Sequence, residues 1–294
     1  MVASVPRSGA PIADGARRRG RPGPDGPAAS DPGSANGHFD SARPTLVQRG
    51  RNVWRYRELL RNLIRRELKV RYKGSALGFV WTLVNPLLYL VVFSVVFQVI
   101  LESGIPDYGL LLLSGLLVWT LFSSALGTAT ASIVANGALV TKVWFPREIL
   151  PIAAIGAAVV NFFFQALVLV AALAVFRHEP AWRFLPLLVP ALAVLLLLAL
   201  ALGLALSALN VRYRDVGHLL ELGLLAWFWM SAIVYPFLQI SDKLGDKSWA
   251  VLLNPVIPVI VTFQKALYNP APESRVLPPE AGLDWYARNL AFVG

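Results

Sequence analysis

The feature that most constrains this chain is a series of five long apolar segments, at about 76–101, 109–134, 149–176, 184–209 and 219–240, that hold almost no charge. Each is long enough to cross about 30 Å of hydrocarbon, for which a helix needs roughly 20 residues. Inside a bilayer the backbone must satisfy its own N–H and C=O groups, which leaves helices or closed barrels. Barrel strands alternate apolar and polar residues over about ten positions, and runs such as Val194 to Leu202 do not. The expected fold is therefore an all-α integral membrane protein. Composition agrees: 56% of the 294 residues are hydrophobic and 15% charged, with a mean hydropathy of +0.58, too apolar for a soluble domain.

Despite this the formal net charge is +10, and nine arginines between Arg17 and Arg57 crowd ahead of the first apolar segment. Positive residues beside a first span predict a cytoplasmic N-terminus. They front a span and do not line a groove, so nucleic acid is not an expected partner. Residues 1–50 are rich in Arg, Pro and Gly and almost free of large apolar side chains, which predicts a disordered cytoplasmic tail. The tail has no apolar core of the kind a secretory signal needs. Cysteine is absent, which excludes disulfides and thiolate chemistry.

Over residues 54–73 the pattern changes. Tyr56, Leu60, Ile64, Leu68 and Tyr72 recur every four residues, with Arg55, Arg57, Arg61, Arg65, Arg66, Lys69, Arg71 and Lys73 on the other face. That is the period of a helix, and a basic amphipathic helix next to a span suits the headgroup region of an anionic leaflet. The alternative is an ordinary helix with a solvated basic face.

Residues 76–294 are expected to form a transmembrane domain of about six helices, the prolines at 86, 151, 186 and 190 falling near helix ends, where breaks cost least. Beyond Ile240, residues 249–268 are apolar but short and proline-interrupted. They read either as a re-entrant-like hairpin before the last span or as an extracytoplasmic loop helix. A sixth apolar segment begins at Trp285 and is expected to be truncated by the end of the chain.

The missing chemistry also constrains function. Ion-coupled transporters need ionisable groups at mid-depth, but the five segments offer there only neutral polar residues such as Gln98, Thr128, Asn161, Gln165 and Ser207. An intramembrane enzyme would need a nucleophile and base or a metal cluster, yet His38, His178 and His218 fall in the tail or loops. No Gly-rich loop ending in Gly-Lys-Ser/Thr is present, so ATP-driven transport would require a separate ATPase subunit.

Three stretches carry a family resemblance. They are Arg65 to Pro86 (RRELKVRYKGSALGFVWTLVNP), Thr141 to Pro151 (TKVWFPREILP), and Asn210 to Val216 (NVRYRDV) taken with Ile233 to Pro236 (IVYP) and Leu253 to Pro255 (LNP). Together they resemble the permease subunits of ABC transporters that export bacterial cell-surface polysaccharides such as O-antigen, teichoic acid and galactan. The resemblance implies a non-enzymatic permease of the bacterial plasma membrane, working as a homodimer with two ATP-binding cassette subunits and moving a polyprenyl-pyrophosphate-linked glycan. The chain itself would bind no cofactor, with ATP and Mg on the partner.

Within that resemblance Lys142, Phe145, Pro146, Arg147 and Glu148 would form the coupling element, with Phe145 as its anchor. Arg65, Arg66, Lys69, Arg71 and Lys73 would meet membrane lipids or the lipid pyrophosphate. Trp227, Phe228, Trp229 and Tyr235 would line the path, since aromatic rings stack on sugar faces. Other tryptophans, among them Trp119 and Trp182, are expected in an interfacial belt. Drug or lipid efflux by the same architecture, and an enzyme or scaffold of polyprenyl-glycan assembly, are the alternative readings.

Overall fold

A computed structural model describes residues 55–72, 80–245, 251, 253–270, 276–277 and 282–293. The tail 1–50, Trp54, Lys73 and Trp249 lie outside them. The amphipathic pattern forms α1 (Arg57–Tyr72). It is followed by α2 (Trp81–Ser94), which widens into a π-helix over Val95–Ile100, and by α3 (Tyr108–Ala135) and the short α4 (Gly137–Lys142). Next come α5 (Ile149–Val175), a 3₁₀ turn over Trp182–Leu187, and α6 (Leu188–Arg212). The chain continues as α7 (Val216–Trp229), α8 (Phe237–Leu244), α9 (Val256–Phe263) with a π-helical extension over Gln264–Tyr268, and α10 (Leu283–Val293).

Among the described residues four helical stretches are long and apolar enough to cross a bilayer: Thr82–Ile100, Tyr108–Ala135, Ile149–Val175 and Trp182–Arg212. The expected fifth segment, 219–240, is not one helix. It ends at Trp229, bends, and restarts at Phe237 behind Pro236. Proline removes an N–H and restricts the residue before it, which suits Pro236 to its place just ahead of the restarted helix, while the turn itself occupies Met230 to Tyr235. Pro86 also departs from expectation, because it lies inside α2. Pro151 and Pro190 are each the third residue of a helix, where a missing N–H costs little.

The core is built around α3, which packs against α2, α5, α6 and α9. On α6 the buried residues are Ala191, Leu195, Ala199, Gly203, Ser207 and Asn210, one stripe at helical spacing. Lipid tails are as apolar as leucine, so spans associate through close packing and interhelical hydrogen bonds, which small residues favour. A Cβ at Gly203 would lie 3.0 Å from the Cβ of Ala129, and Asn210 Nδ2 donates to the Thr130 carbonyl at 3.0 Å. Thr120 Oγ1 similarly bonds Gln165 Oε1 at 2.8 Å across α3 and α5.

The α2–α3 contact is equally tight. A Cβ at Gly109 would stand 2.1 Å from Ser94 Oγ and 3.0 Å from the Leu90 carbonyl oxygen; the serine can rotate away but the carbonyl cannot. Gly109→Val is expected to destabilise the chain by about 1–3 kcal/mol, the usual cost of overpacking. A lower melting temperature in detergent, beside an unchanged one for a Val placed at Gly127, where nothing lies within 4 Å of the added Cβ, would show it.

Every residue of α9 from Val256 to Phe263 is buried, against α3 and α6. A loop helix would keep one face wet. This one keeps none. In contrast α7 buries no residue, and Leu219, Leu222 and Leu225 stand exposed, as do Leu87, Leu88, Val91 and Val92 on α2. Trp119 corrects the expected interfacial belt: it sits in the middle of α3, buried against Phe122 and Phe228.

Candidate functional site

At one end of the bundle α1 lays its apolar stripe on the start of α5. Leu63, Phe145, Ile149, Leu150 and Ala153 form a buried cluster, joined by Tyr56, Leu59, Leu60 and Ile64 from α1 and by Ile133, Leu139 and Val140. The stripe therefore packs on protein. The side chains of Arg65, Arg66 and Lys69 remain exposed, and Arg66 Nη1 donates to Asn136 Oδ1 at 3.2 Å, tying α1 to the turn between α3 and α4. Arg71 belongs to α1, but its side chain is outside the described residues, as is Lys73.

The segment from Lys142 to Glu148 leaves α4 through Val143, whose backbone is extended at φ −131° and ψ 134°. Extended residues send alternate side chains to opposite sides. Trp144 accordingly stands 86% exposed while Phe145 is 7% exposed. Lys142 and Arg147 face outward, and Pro146 and Glu148 are half-buried. Backbone bonds from Ile149 N to Pro146 O (3.1 Å) and from Leu150 N to Arg147 O (3.2 Å) turn the loop into α5. The structure thus seats the expected anchor Phe145 in its own chain and presents its neighbour Trp144, a distinction the motif does not carry.

Toward the opposite end, three of the four expected path residues meet. Trp227, Trp229 and Tyr235 line an open cavity of about 710 Å³ together with Met230, Leu253 and Asn254. Trp229 is 57% exposed. Phe228 does not join them; it turns inward, its ring 5.6 Å from Trp119. One helical position places it on the core face.

The loops at this end are clasped by side chains. His178 Nδ1 is 3.4 Å from Asp107 Oδ2, its Nε2 meets the Tyr268 carbonyl, and its ring stacks on Tyr268 at 5.1 Å. Tyr268 OH donates to the Pro106 carbonyl at 2.5 Å, and Tyr108 OH to that of Val234. Lys265, a cation the sequence reading passed over, sits half-buried in the π-helical extension with Nζ 5.5 Å from the Phe184 ring centroid. Its apolar neighbours Ala266 and Leu267 hide it from a reading based on run length. No group of three or more metal-ligating side chains occurs among the described residues.

Apart from Tyr56 and Arg57, these features lie within residues 58–268, the span matched by the family model of ABC-2 type transporters. The chain belongs to that family. It is 33% identical over 229 residues to the O-antigen export system permease protein RfbA of Myxococcus xanthus, covering 76% of this chain and 85% of the relative. Similarity extends to the Klebsiella pneumoniae protein of the same description, at 29% identity with 72% and 81% covered. The polysialic acid transport protein KpsM of Escherichia coli is 24% identical, with 70% and 79% covered. Members of such a family span the membrane several times and work with an ATP-binding cassette partner.

Proposed function

We propose that the chain is the membrane-spanning subunit of an ATP-driven exporter of a polyprenyl-pyrophosphate-linked cell-surface polysaccharide. The observation that carries the reading is the aromatic cavity of Trp227, Trp229 and Tyr235, beside spans whose described residues hold no group of metal-ligating side chains. A neutral sugar chain needs walls that tolerate hydroxyls and stack on ring faces, and aromatic side chains supply both. The O-antigen and polysialic acid relatives support the substrate class.

In this reading the N-terminus is cytoplasmic, the membrane is the bacterial plasma membrane, and Arg65, Arg66, Lys69, Arg71 and Lys73 offer cations to the lipid pyrophosphate or to anionic lipids. The segment Lys142 to Glu148 docks on the ATPase, with Trp144 as its projecting side chain, Arg147 as its charged contact and Pro146 and Glu148 shaping the turn. ATP and Mg belong to that partner. Phe145 holds the segment to α1. The exposed apolar faces of α2 and α7 meet lipid and a second copy of the chain, because the four spans and two shorter apolar helices among the described residues are few to enclose a polymer.

Reconstitution with the ATPase subunit tests the reading. Glycan movement into vesicles should require ATP and the partner, and should fall about tenfold in Trp229→Ala combined with Tyr235→Ala, two lost stacking contacts of about 0.5–1.5 kcal/mol each. Translocation that persists without the partner would overturn it. ATPase stimulation by small amphiphiles in place of lipid-linked glycan would assign the chain to drug or lipid efflux.

A further inference from the structure

Asn254, the middle residue of Leu253-Asn-Pro255, has every hydrogen-bonding position of its side chain taken. Its Oδ1 accepts from the Trp227 indole Nε1 at 2.8 Å and from the Val256 backbone N–H at 3.1 Å. Its Nδ2 donates to Ser231 Oγ at 3.1 Å and to the Met230 carbonyl at 3.4 Å. A primary amide offers two donors and two acceptor sites, so this one is saturated. Aspartate could supply only the acceptors, and alanine neither.

The four bonds join two elements far apart in sequence. One side holds the C-terminal end of α7 and the bend after it, through Trp227, Met230 and Ser231; the other is the first residue of the buried helix α9. Between them Trp227 is fixed from two directions, by Asn254 at its N–H and by Phe122, whose ring meets it edge-on at 5.1 Å. Both Trp227 and Asn254 line the 710 Å³ cavity. With its only donor already engaged, the indole can offer the cavity a π face but no hydrogen bond.

We infer that Asn254 is a positioning residue for glycan recognition: it locks Trp227 so that the cavity receives pyranose rings by their apolar C–H faces. This rests on the cavity being part of the glycan path. Recognition then depends on ring orientation and not on matching individual hydroxyl groups, which suits a path that must pass successive residues of a polymer. Asn254 acts through the indole and through the helix start at Val256.

The test uses the full chain with its ATPase partner in proteoliposomes, and as probe the polyprenyl-pyrophosphate-linked glycan extracted from host cells lacking this chain. Trp227→Phe and Asn254→Ala should each raise the half-saturating glycan concentration for ATPase stimulation by roughly three- to tenfold while leaving the maximal rate within about twofold. The double variant should be no worse than the worse single one, since both break the same bond. Asn254→Asp keeps both acceptor bonds but turns a carboxylate oxygen toward the Met230 carbonyl, so it should raise the half-saturating concentration less than Asn254→Ala does.

If Asn254→Asp raises the half-saturating concentration as much as Asn254→Ala, or if the maximal rate falls while that concentration is unchanged, the inference is overturned and Asn254 is a structural clip. Trp229→Ala and Tyr235→Ala separate the two layers. Should they raise the half-saturating concentration while Trp227→Phe and Asn254→Ala do not, the inference alone fails. Should none of the four change it, the path reading fails first and takes the inference with it.

Discussion

Trp144→Ala is expected to leave the chain as stable as the parent and to weaken its hold on the ATPase subunit by roughly 30-fold or more, since truncating an interface hot spot costs about 2 kcal/mol upward and tryptophan is enriched among such residues. Phe145→Ala should do the reverse in stability. Its ring lies in the cluster with Leu63, Ile149 and Leu150, and removing a buried phenylalanine costs about 3–5 kcal/mol through lost transfer energy and the cavity left behind. Measuring the melting temperature in detergent and the affinity for the purified ATPase on the same two variants separates the roles. A stable Phe145→Ala that fails to bind, beside a Trp144→Ala that binds normally, would return the anchor to Phe145.

The second large effect is expected at Gly203. Its Cα faces Ala129 across the α3–α6 contact, with a built Cβ already at 3.0 Å, tighter than ordinary van der Waals contact. Between spans the association energy comes from close packing, because lipid solvates an exposed leucine as well as a neighbouring helix does. Gly203→Leu should therefore separate α3 from α6 and strip the Asn210–Thr130 bond that lies two turns further along. The series Ala, Val, Leu at this position should give stepwise losses, the leucine variant exceeding the ~1–3 kcal/mol typical of overpacking and yielding little monodisperse protein. Equal yields across the series would mean that the two helices do not rely on this contact.

Much of this architecture was legible in the sequence because hydrophobicity acts over whole elements. The runs containing α3, α5 and α6 are apolar for longer than any soluble helix requires, and the four-residue recurrence from Tyr56 to Tyr72 marked α1. What was not legible depends on single residues or on distant partners. A bend over Met230 to Pro236 divides an apolar run that composition alone reads as a span. Trp144 and Phe145 are adjacent aromatics, and only the extended backbone at Val143 decides which turns inward. Phe228 stands between two tryptophans in sequence, yet one step of helix rotation carries it to Trp119. Asn254 acquires its significance from a bond to a residue 27 positions earlier, which no local pattern encodes.

The amphipathic helix α1 depends on a distant partner in the same way. A basic amphipathic helix normally spends its apolar face on lipid, and nothing in residues 54–73 says otherwise. In the fold that face is occupied by the start of α5 and by Phe145. The complementary surface lies some ninety residues away, in a stretch whose own periodicity is that of a span.

That shared cluster has a mechanical consequence. Phe145 sits in the same packed group as Leu63, so the Trp144 loop and α1 cannot move independently without opening a void, and tightly packed interiors transmit displacement with little slack. Under the proposed function a push on the loop would therefore be felt by the arginine-bearing helix. The two ends of that lever are then an ATPase surface and the place where an anionic head arrives. Coupling between two binding events is reciprocal. The arrival of a charged lipid head at α1 would thus raise or lower the ATPase's grip on the loop by the same factor with which the ATPase alters the hold on that head, with the packed cluster around Phe145 as the link between the two.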